Sequence, residues 1–312
     1  MACGAHAAGQ GLPADVLIDD TNVYPESLSA AKDGTLYIGS VKGIIFRAPA
    51  GHTKAEPWIR PSAENGLLAV LGVLADERSH TLWVCSSPSG PLRSPPAVGT
   101  ASLVAFDLKS GTLKGSYSFP APASACNDIT IARDGTAFVS DTPNGRILQL
   151  APRGKTLTVW AQDERLKGID GIVLAADETL YVNIVTRGQL FRVERTADGG
   201  AGNLTQIQTS QPIGGPDGFR LVSGHTFLLA ENTAGNIDEV TITGDQAAVK
   251  VLRSGLNSPP GVTLAGHTVY AIEGKVGYLI DPKLKGQDPG AFTAQAIPLS
   301  QPAVKDPPDK TQ

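Results

Sequence analysis

The feature that most restricts the fold of this chain is a motif that recurs six times along it. Each copy contains two short runs of β-forming residues around a tight turn, with a threonine early in the second run, as in DITIARDGTAFVSD. The repeated threonines, at intervals of 42 to 55 residues, are Thr35, Thr81, Thr136, Thr179, Thr226 and Thr268. A period of this length with a hairpin in every copy indicates a repeat architecture rather than a set of unrelated strands.

A third strand, often opened by glycine, is predicted after each hairpin. The six segments are GIIFRA, SLVAFDL, GRILQL, GQLFRV, GNIDEV and GYLID. With a more variable fourth strand, the pattern predicts an all-β six-bladed β-propeller, in which four-stranded antiparallel blades surround a central channel. The alternative is a sandwich of unrelated hairpins, which six copies in phase disfavour. Residues 1–13 are predicted to be a disordered stub, 14–299 a single propeller domain and 300–312 a tail, with the closing outer strand supplied either by 14–20 or by 293–299.

The composition excludes several other classes of protein. The 35 glycines and 23 prolines among 312 residues break helices and populate turns, so a helical bundle is excluded. The formal net charge of -4 provides no basic surface for nucleic acid. No apolar run approaches the ~20 residues that a membrane-spanning helix needs. We therefore expect a monomer that acts on a small molecule, without a nucleic-acid partner or a membrane span.

Polar side chains occupy the same position in four of the six repeats, where the first strand begins. Because the first strands of a propeller start at one end of the channel, these side chains are expected to converge. They are Glu26, Asn127, Asp170 and Asp217. Taken singly, Asn-Asp or Asp-Gly before a strand is more often turn chemistry. Four oxygen-bearing groups in phase instead favour a site for one divalent cation, Ca²⁺ first, with Mn²⁺ and Zn²⁺ as alternatives.

The second strand of each hairpin returns to the same end of the channel. Four polar residues near these ends are candidates for lining a substrate pocket: Asp141, Asn183, Glu231 and Glu273. Asp141 has a second interpretation, since within VSDTPNG it could hold its own turn. Three histidines that precede repeat threonines, His80, His225 and His267, are expected in exposed turns at the opposite end. No histidine-based catalytic triad is therefore predicted.

Three cysteines are too few for a disulfide-rich scaffold, and they lack the spacing of a zinc site. Cys85 and Cys126 are expected at the channel mouth on neighbouring blades, either as a disulfide or as two free thiols. The start MACGAHAAGQGLPAD has no signal-peptide pattern and is typical of a processed terminus, with lipidation of Cys3 as one alternative. These features predict a periplasmic or secreted protein.

The chain also resembles a known family. The segments PESLSAAKDGTLYIGS, CNDITIARDGTAFVSDTPNGRI, DGIVLAADETLYV and PDGFRL are similar to the gluconolactonase/regucalcin (senescence-marker) family of six-bladed propellers, and the resemblance extends over 14–299. It implies that Glu26, Asn127, Asp170 and Asp217 surround a divalent cation in the channel. Asp170 departs from the family, which usually has asparagine before this glycine, and Ser27 and Leu28 stand where Gly-Pro is frequent. The extra carboxylate at position 170 is expected to tighten cation binding.

The resemblance and the ring of oxygen ligands together predict a metal-dependent lactonase. In this hypothesis the cation polarises the carbonyl of a cyclic ester and Asp217 accepts a proton from the attacking water. Asp170 would ligate the metal or act as a second base. A phosphotriesterase-like hydrolase is an alternative within enzymes. The alternative from another class is a non-catalytic propeller, in which the cation braces the channel and the rim binds a ligand or a protein.

Overall fold

The computed structural model describes residues 13–88, 99–120 and 123–299. Most of the predicted stub (1–12), part of the Pro/Ser-rich loop after the second hairpin (89–98), residues 121–122 and the predicted tail (300–312) lie outside this range. The regular secondary structure of the described residues consists almost entirely of antiparallel strands, which confirms the all-β class. None of the helices in this part of the chain has the length and apolar character needed to cross a lipid bilayer.

The strands follow one another in chain order with short turns between them. In the first half they are β1 (Val16–Ile18), β2 (Pro25–Ala30), β3 (Leu36–Ser40), β4 (Ile45–Ala48), β5 (Glu56–Ile59), β6 (Ala69–Asp76), β7 (Thr81–Ser87), β8 (Ser102–Asp107), β9 (Leu113–Ser118), β10 (Cys126–Ile131), β11 (Ala137–Asp141), β12 (Arg146–Leu150) and β13 (Thr158–Gln162). In the second half they are β14 (Ile169–Leu174), β15 (Leu180–Ile184), β16 (Gln189–Arg195), β17 (Ala201–Thr209), β18 (Pro216–Ser223), β19 (Thr226–Glu231), β20 (Asn236–Thr243), β21 (Gln246–Arg253), β22 (Gly261–Ala265), β23 (Thr268–Ile272) and β24 (Phe292–Pro298). The helical elements are a 3-10 turn (Glu164–Leu166) and α1 (Gly277–Ile280).

The pairing of these strands gives four-stranded antiparallel sheets, as in a β-propeller. Three of them run in chain order, β2 to β5, β6 to β9 and β10 to β13. Strands β14 to β21 form one eight-stranded sheet, which consists of two antiparallel four-stranded runs joined by a short parallel pairing of β17 with β21 at Gln208–Gln246 and Thr209–Ala247. These outer strands are nine and eight residues long, against four to six for β5, β9 and β13, so their ends can meet.

The last sheet combines strands from both ends of the chain in the order β22, β23, β24, β1. Both candidate closing segments therefore take part, with β1 outermost. The prediction that GYLID forms a third strand is wrong, because Gly277–Ile280 is the single helical turn α1. The turn ends immediately before Asp281-Pro282, where the residue preceding proline disfavours helical geometry. Strand β24 takes the third place instead, and its buried Phe292, Ala294 and Ile297 anchor it in the core.

The repeated motif has a local physical basis in its turn. Asp33, Asp134 and Asp177 each accept a hydrogen bond from the backbone N–H two residues later, at the repeat threonine (2.8–3.0 Å). The residue between them lies in the left-handed region, as at Gly34 (φ 89°) and Gly135 (φ 91°). Glycine adopts that conformation without steric cost, which explains the recurring Asp-Gly-Thr.

The core lies between neighbouring sheets. The aromatic residues that follow the repeat threonines share hydrophobic clusters with residues of the next four-stranded run, as Tyr37 does with Leu82, Phe138 with Ile172 and Tyr181 with Phe219. Each first strand also contacts the next, β2 with β6, β6 with β10, β10 with β14, β14 with β18, and β18 with β22, while β22 contacts β2. The beginnings of the six first strands are thus brought around a common space.

Candidate functional site

The four predicted ligands occupy equivalent places in the structure. Glu26, Asn127, Asp170 and Asp217 are each the second residue of a first strand, in β2, β10, β14 and β18 respectively. In every case the pairing with the second strand shifts register at that point, which is the signature of a β-bulge. A bulge leaves a residue unpaired and re-aims its side chain, and bulges are frequent beside active sites.

The glycines that follow two of these carboxylates are needed for close packing between strands. A Cβ at Gly171 would lie 2.4 Å from the carbonyl oxygen of Asp217, and a Cβ at Gly218 would lie 2.8 Å from that of Pro260. Both Asp-Gly pairs lie inside strands, so the alternative interpretation as turn chemistry does not apply to them. The glycines let the first strands of neighbouring sheets approach, and this approach draws Asp170 and Asp217 together.

The four side chains line one cavity of 160 Å³. Its lining residues are Tyr24, Pro25, Glu26, Val41, Leu71, Asn127, Asp170, Asp217, Asn232, Pro260, Gly274 and Val276. Asn127, Asp170 and Asp217 are 7–8% exposed, so their polar groups face the cavity rather than bulk solvent. The structure therefore brings the predicted metal ligands to one place.

Burial and mutual repulsion dominate the electrostatics of this cluster. Burial raises the pKa of Glu26 well above its usual range, and the charges of Asp217 and Asp170 raise it further. Burial, together with Asp128, raises the pKa of Asp170 to about 7. The pKa of Asp217 is also raised well above its usual value by burial and by Asp170. The contact between the two carboxyls raises the pKa of Asp217 and lowers that of Asp170.

A buried ion pair lies beside the cluster and was not predicted from the sequence. Arg220 donates two parallel hydrogen bonds to Asp128, at 2.7 and 2.9 Å, from β18 across to β10. Its charge lowers the pKa of Glu26 and Asp170. Four carboxylates against one guanidinium still leave a negative excess when all are ionised. The one sign of this ion pair in the sequence is the arginine at the fifth position of the strand PDGFRL, but its partner Asp128 is 92 residues away in the chain.

This donor set fits a hard divalent cation by its chemistry and charge. Three carboxylates and one amide are oxygen ligands of the kind that Ca²⁺ takes, and a cation would offset their repulsion. Asn127 donates from Nδ2 to Thr142 Oγ1 (3.0 Å) and to Asp170, which leaves its Oδ1 as an acceptor. Within residues 13–88, 99–120 and 123–299, no group of three or more His, Cys, Asp or Glu side chains is already arranged to hold a metal ion. The fit thus rests on the donor types and on the negative excess.

Asn232 is a site residue that the sequence reasoning missed. Its Nδ2 donates to Asp217 Oδ2 at 3.1 Å, and it lines the cavity. The repeat pattern places Glu231, the last residue of the second strand, in the substrate pocket, whereas the residue that lines the cavity is the next one, Asn232. Because the second strand ends at Glu231, the following residue reaches the cavity.

None of the four predicted substrate-pocket residues lines this cavity. Asn183 is fully buried and bridges two first strands: its Oδ1 accepts from Gly171 N–H (3.0 Å), and its Nδ2 donates to the Asp217 carbonyl (2.6 Å). Ser140 acts in the same way one sheet earlier, since it accepts from Asp128 N–H and donates to the Asp170 carbonyl. These side chains hold the site residues in place through the backbone.

The remaining three also have hydrogen-bond partners outside this cavity. Asp141 is fully buried, accepts from Arg146 Nε (2.9 Å) and from Ala125 N–H (3.0 Å), and thereby ties down its turn. Glu231 accepts from Asn236 Nδ2 (3.0 Å) and from the backbone of Gly214. Glu273 accepts from Asn257 N–H at 2.9 Å on the exposed side.

The described histidines are remote from the cavity, and none of them lines it. His225 contacts Tyr181 and Asp177 at the turn end of its hairpin. Cys85 and Cys126 form a disulfide with a Cα–Cα distance of 5.0 Å, which resolves the two alternatives left by the sequence. The bond links β7 to β10 directly before Asn127 and so anchors the start of that strand.

A second, larger cavity of 470 Å³ lies at the other ends of the first strands. Arg220 borders it, together with two rim arginines that are already paired: Arg78 lies 3.4 Å from Asp76, and Arg133 lies 3.8 Å from Glu178. Its charges are thus largely compensated, unlike those of the smaller cavity.

No protein-family model matches this chain, and no curated protein matches it in sequence. Solved structures match it in fold. A structural-genomics target assigned as a gluconolactonase superposes with a TM-score of 0.64 at 15% identity, covering 93% of this chain and 96% of that one. A gluconolactonase from Xanthomonas campestris gives 0.61 at 15% identity over 93% and 100% of the two chains. A catalytically inactive histidine-to-alanine variant of virginiamycin B lyase from Staphylococcus aureus, with quinupristin, gives 0.60 at 17% identity over 83% and 80%.

These matches define the class of fold. The chain has the fold of a gluconolactonase-like β-propeller, as the sequence resemblance predicted. At 15–17% identity the same fold is shared with a lyase, so the likeness by itself assigns no activity.

Proposed function

We propose that this protein is a divalent-metal-dependent hydrolase that opens a lactone, and that the 160 Å³ cavity is its active site. The observation that carries the proposal is the convergence of three carboxylates and one amide on one cavity, each at the bulge of a first strand. Hydrolysis of a cyclic ester needs a polarised carbonyl, a nucleophilic water and a base. The cluster would hold the cation that polarises the carbonyl, and it would provide the base.

We infer that the surrounding architecture is a six-bladed propeller. The six four-stranded runs and the contact of β22 with β2 support this count, because they bring the first strands together in cyclic order. The sheet formed by β22, β23, β24 and β1 would then close the ring with strands from both ends of the chain.

Glu26, Asn127, Asp170 and Asp217 are the residues that would hold the cation, with Ca²⁺ the first candidate. When bound, it would supply the positive charge that polarises the lactone carbonyl. Asp217 is the proposed general base, because it lines the cavity among the proposed ligands and would be ionised once a bound cation offsets the neighbouring carboxylates. Asn232 orients this carboxylate by donating to Oδ2, and Asp170 lies beside it as a further ligand or a second base.

Other functions have weaker support. A lyase resembling virginiamycin B lyase is disfavoured, since replacing a histidine inactivates that protein while no described histidine lines this cavity. A phosphotriesterase-like hydrolase would use the same cluster on a larger substrate, for which a cavity of 160 Å³ leaves little room. A non-catalytic propeller, in which the cation would only brace the channel, is the second candidate, because the same donor set would suit a structural cation.

We also propose that the protein acts in the periplasm or outside the cell. The Cys85–Cys126 disulfide supports this location, because disulfides persist in oxidising compartments and are rare in the cytosol.

The test is elemental analysis of the purified protein, together with lactone hydrolysis before and after chelation. We expect one divalent ion per chain, loss of hydrolysis on chelation and recovery when the metal is restored. Bound metal without hydrolysis of any lactone would favour the non-catalytic propeller. Failure to bind Ca²⁺, Mn²⁺ or Zn²⁺ would reject the proposed site.

A further inference from the structure

The lining of the 160 Å³ cavity is divided into a polar floor and an apolar wall. The floor consists of the four predicted ligands and Asn232. The wall consists of Tyr24, Pro25, Val41, Leu71, Pro260, Gly274 and Val276. Val41 is 2% exposed and Leu71 is 7% exposed, so both belong to the packed core and present a fixed apolar surface to a ligand.

Most hydrogen-bond donors of the floor are already engaged. Asn232 donates one N–H to Asp217, and Asn127 donates to Thr142 and Asp170. What remains for a ligand is the second N–H of Asn232 and a set of acceptors within one cluster, which a cation would occupy. The additional hydroxyls of a polyhydroxylated ligand would therefore face Val41, Leu71 and Val276. A hydroxyl left unpaired in this way lowers affinity by about tenfold.

The charge of the lining also selects against anions. Within the described residues, the lining contains no lysine, arginine or histidine. Glu26, Asp170 and Asp217, with Asp128 behind them, give the site an excess of carboxyl groups over its one guanidinium, that of Arg220. A carboxylate or phosphate group on a ligand would meet this excess without a side-chain cation to pair with.

The wall is held in place on the side of Val276. Lys275, at a positive φ of 49°, donates from Nζ to the carbonyls of Pro289 (2.8 Å) and Ala291 (2.7 Å). Tyr24, also at a positive φ (48°), stacks edge-on against Phe292. Strained residues that neighbouring contacts hold in place are frequent at ligand sites. The apolar wall is therefore preformed. The volume of the cavity, 160 Å³, is smaller than the roughly 300–1,000 Å³ of pockets for drug-sized ligands.

From these observations we infer the substrate class: a compact, uncharged lactone with a short alkyl substituent, rather than a polyhydroxylated sugar lactone or a charged ester. The lactone chemistry rests on the proposed function. The preference for an apolar, uncharged body rests on the lining alone, so the two parts can fail separately.

The test compares two five-membered lactones on the metal-loaded protein, γ-valerolactone and D-ribono-γ-lactone. We expect kcat/KM for γ-valerolactone to be at least about tenfold higher, since each unpaired hydroxyl is penalised. The non-hydrolysable lactams of the same two skeletons, titrated by calorimetry, should show the same order of affinity. Val276→Thr adds a hydroxyl to the wall and should lower the ratio of kcat/KM for γ-valerolactone to that for D-ribono-γ-lactone by about threefold or more. Val251→Thr, at a side chain on β21 that is 42% exposed, is the matched control and should leave it unchanged.

The outcomes separate the two claims. Hydrolysis of both lactones with equal or reversed preference overturns the inferred substrate class while the proposed hydrolase stands. Hydrolysis of neither lactone, with tighter binding of γ-valerolactam than of the hydroxylated lactam, rejects the proposed function while the ligand class stands. An unchanged preference in Val276→Thr would exclude this wall as its origin.

Discussion

Two sets of buried polar residues lie at the same end of the sheets and differ in how their charges are compensated. Asp141 and Asn183, at the ends of second strands, have hydrogen-bond partners within their own turn or in the backbone of the next first strand. Glu26 and Asp217, at the beginnings of first strands, instead face other carboxylates, which raise their pKa. Asp141 and Asn183 are fully buried, and Asp217 is 8% exposed.

The difference shows that burial and residue type do not by themselves identify a functional carboxylate. A buried carboxylate with a complete set of partners stabilises the fold, whereas a group of carboxylates that face one another lowers stability unless a ligand compensates them. The first set should therefore respond to mutation mainly in stability, and the second mainly in binding and turnover. The predictions below test this division.

The largest effect is expected at Asp217. Asp217→Asn removes the proposed base but keeps the shape of the side chain, so we expect kcat for lactone hydrolysis to fall by about 10²–10⁴-fold. The free energy of unfolding should stay equal or rise, because one of two facing carboxylates is removed. Steady-state kinetics and urea denaturation on the same preparation measure both. Retention of full turnover would remove Asp217 from the catalytic group.

The opposite response is expected at Asp141. Asp141→Ala leaves Arg146, which is 8% exposed, without its carboxylate partner, and should lower the free energy of unfolding by about 3 kcal/mol. Asp245→Ala removes an exposed ion pair with Arg192 and should change the free energy of unfolding by less than about 1 kcal/mol. Cation affinity should be unchanged in the folded fraction of either variant. If Asp141→Ala lost cation binding without losing stability, Asp141 would belong to the second set.

A smaller, pH-dependent effect is expected at Asp238, a fully buried carboxyl next to Glu231. Burial, together with Glu231, raises the pKa of Asp238 to about 8. The folded state holds this proton more tightly than the unfolded state. The contribution of the protonated carboxyl to the free energy of unfolding is therefore complete below about pH 4, and it is lost as the pH rises through 8. Asp238→Asn should flatten this decline and be more stable than the original protein at pH 9 by roughly 1–2 kcal/mol. Urea denaturation from pH 5 to 9 measures it, with Glu239→Gln as the neighbouring control. Parallel curves for Asp238→Asn and the original protein would contradict the assignment.

The sequence predicted most of what is local and repeated. The Asp-Gly-Thr turns and the alternation of apolar residues located the hairpins, and the common phase of Glu26 and Asp217 located the cavity. What it could not predict depends on contacts between distant strands. The partners of Asn183 lie in two different first strands, Arg220 pairs with a residue 92 positions away, and the bulges exist only once the strands are paired. The helical turn at 277–280 was missed because its apolar residues suit a strand equally well.

The most direct test of the account is a calorimetric titration of the metal-free protein with Ca²⁺, compared between Glu26→Gln and Glu56→Gln. Glu26 belongs to the cluster of carboxyls that lines the 160 Å³ cavity. The Glu56 side chain, in contrast, is 67% exposed and lies 3.5 Å from Lys54. We expect one Ca²⁺ site in the original protein, an affinity at least about tenfold weaker in Glu26→Gln, and no change of affinity in Glu56→Gln. Equal affinities in all three proteins, or no binding in the original one, would contradict it.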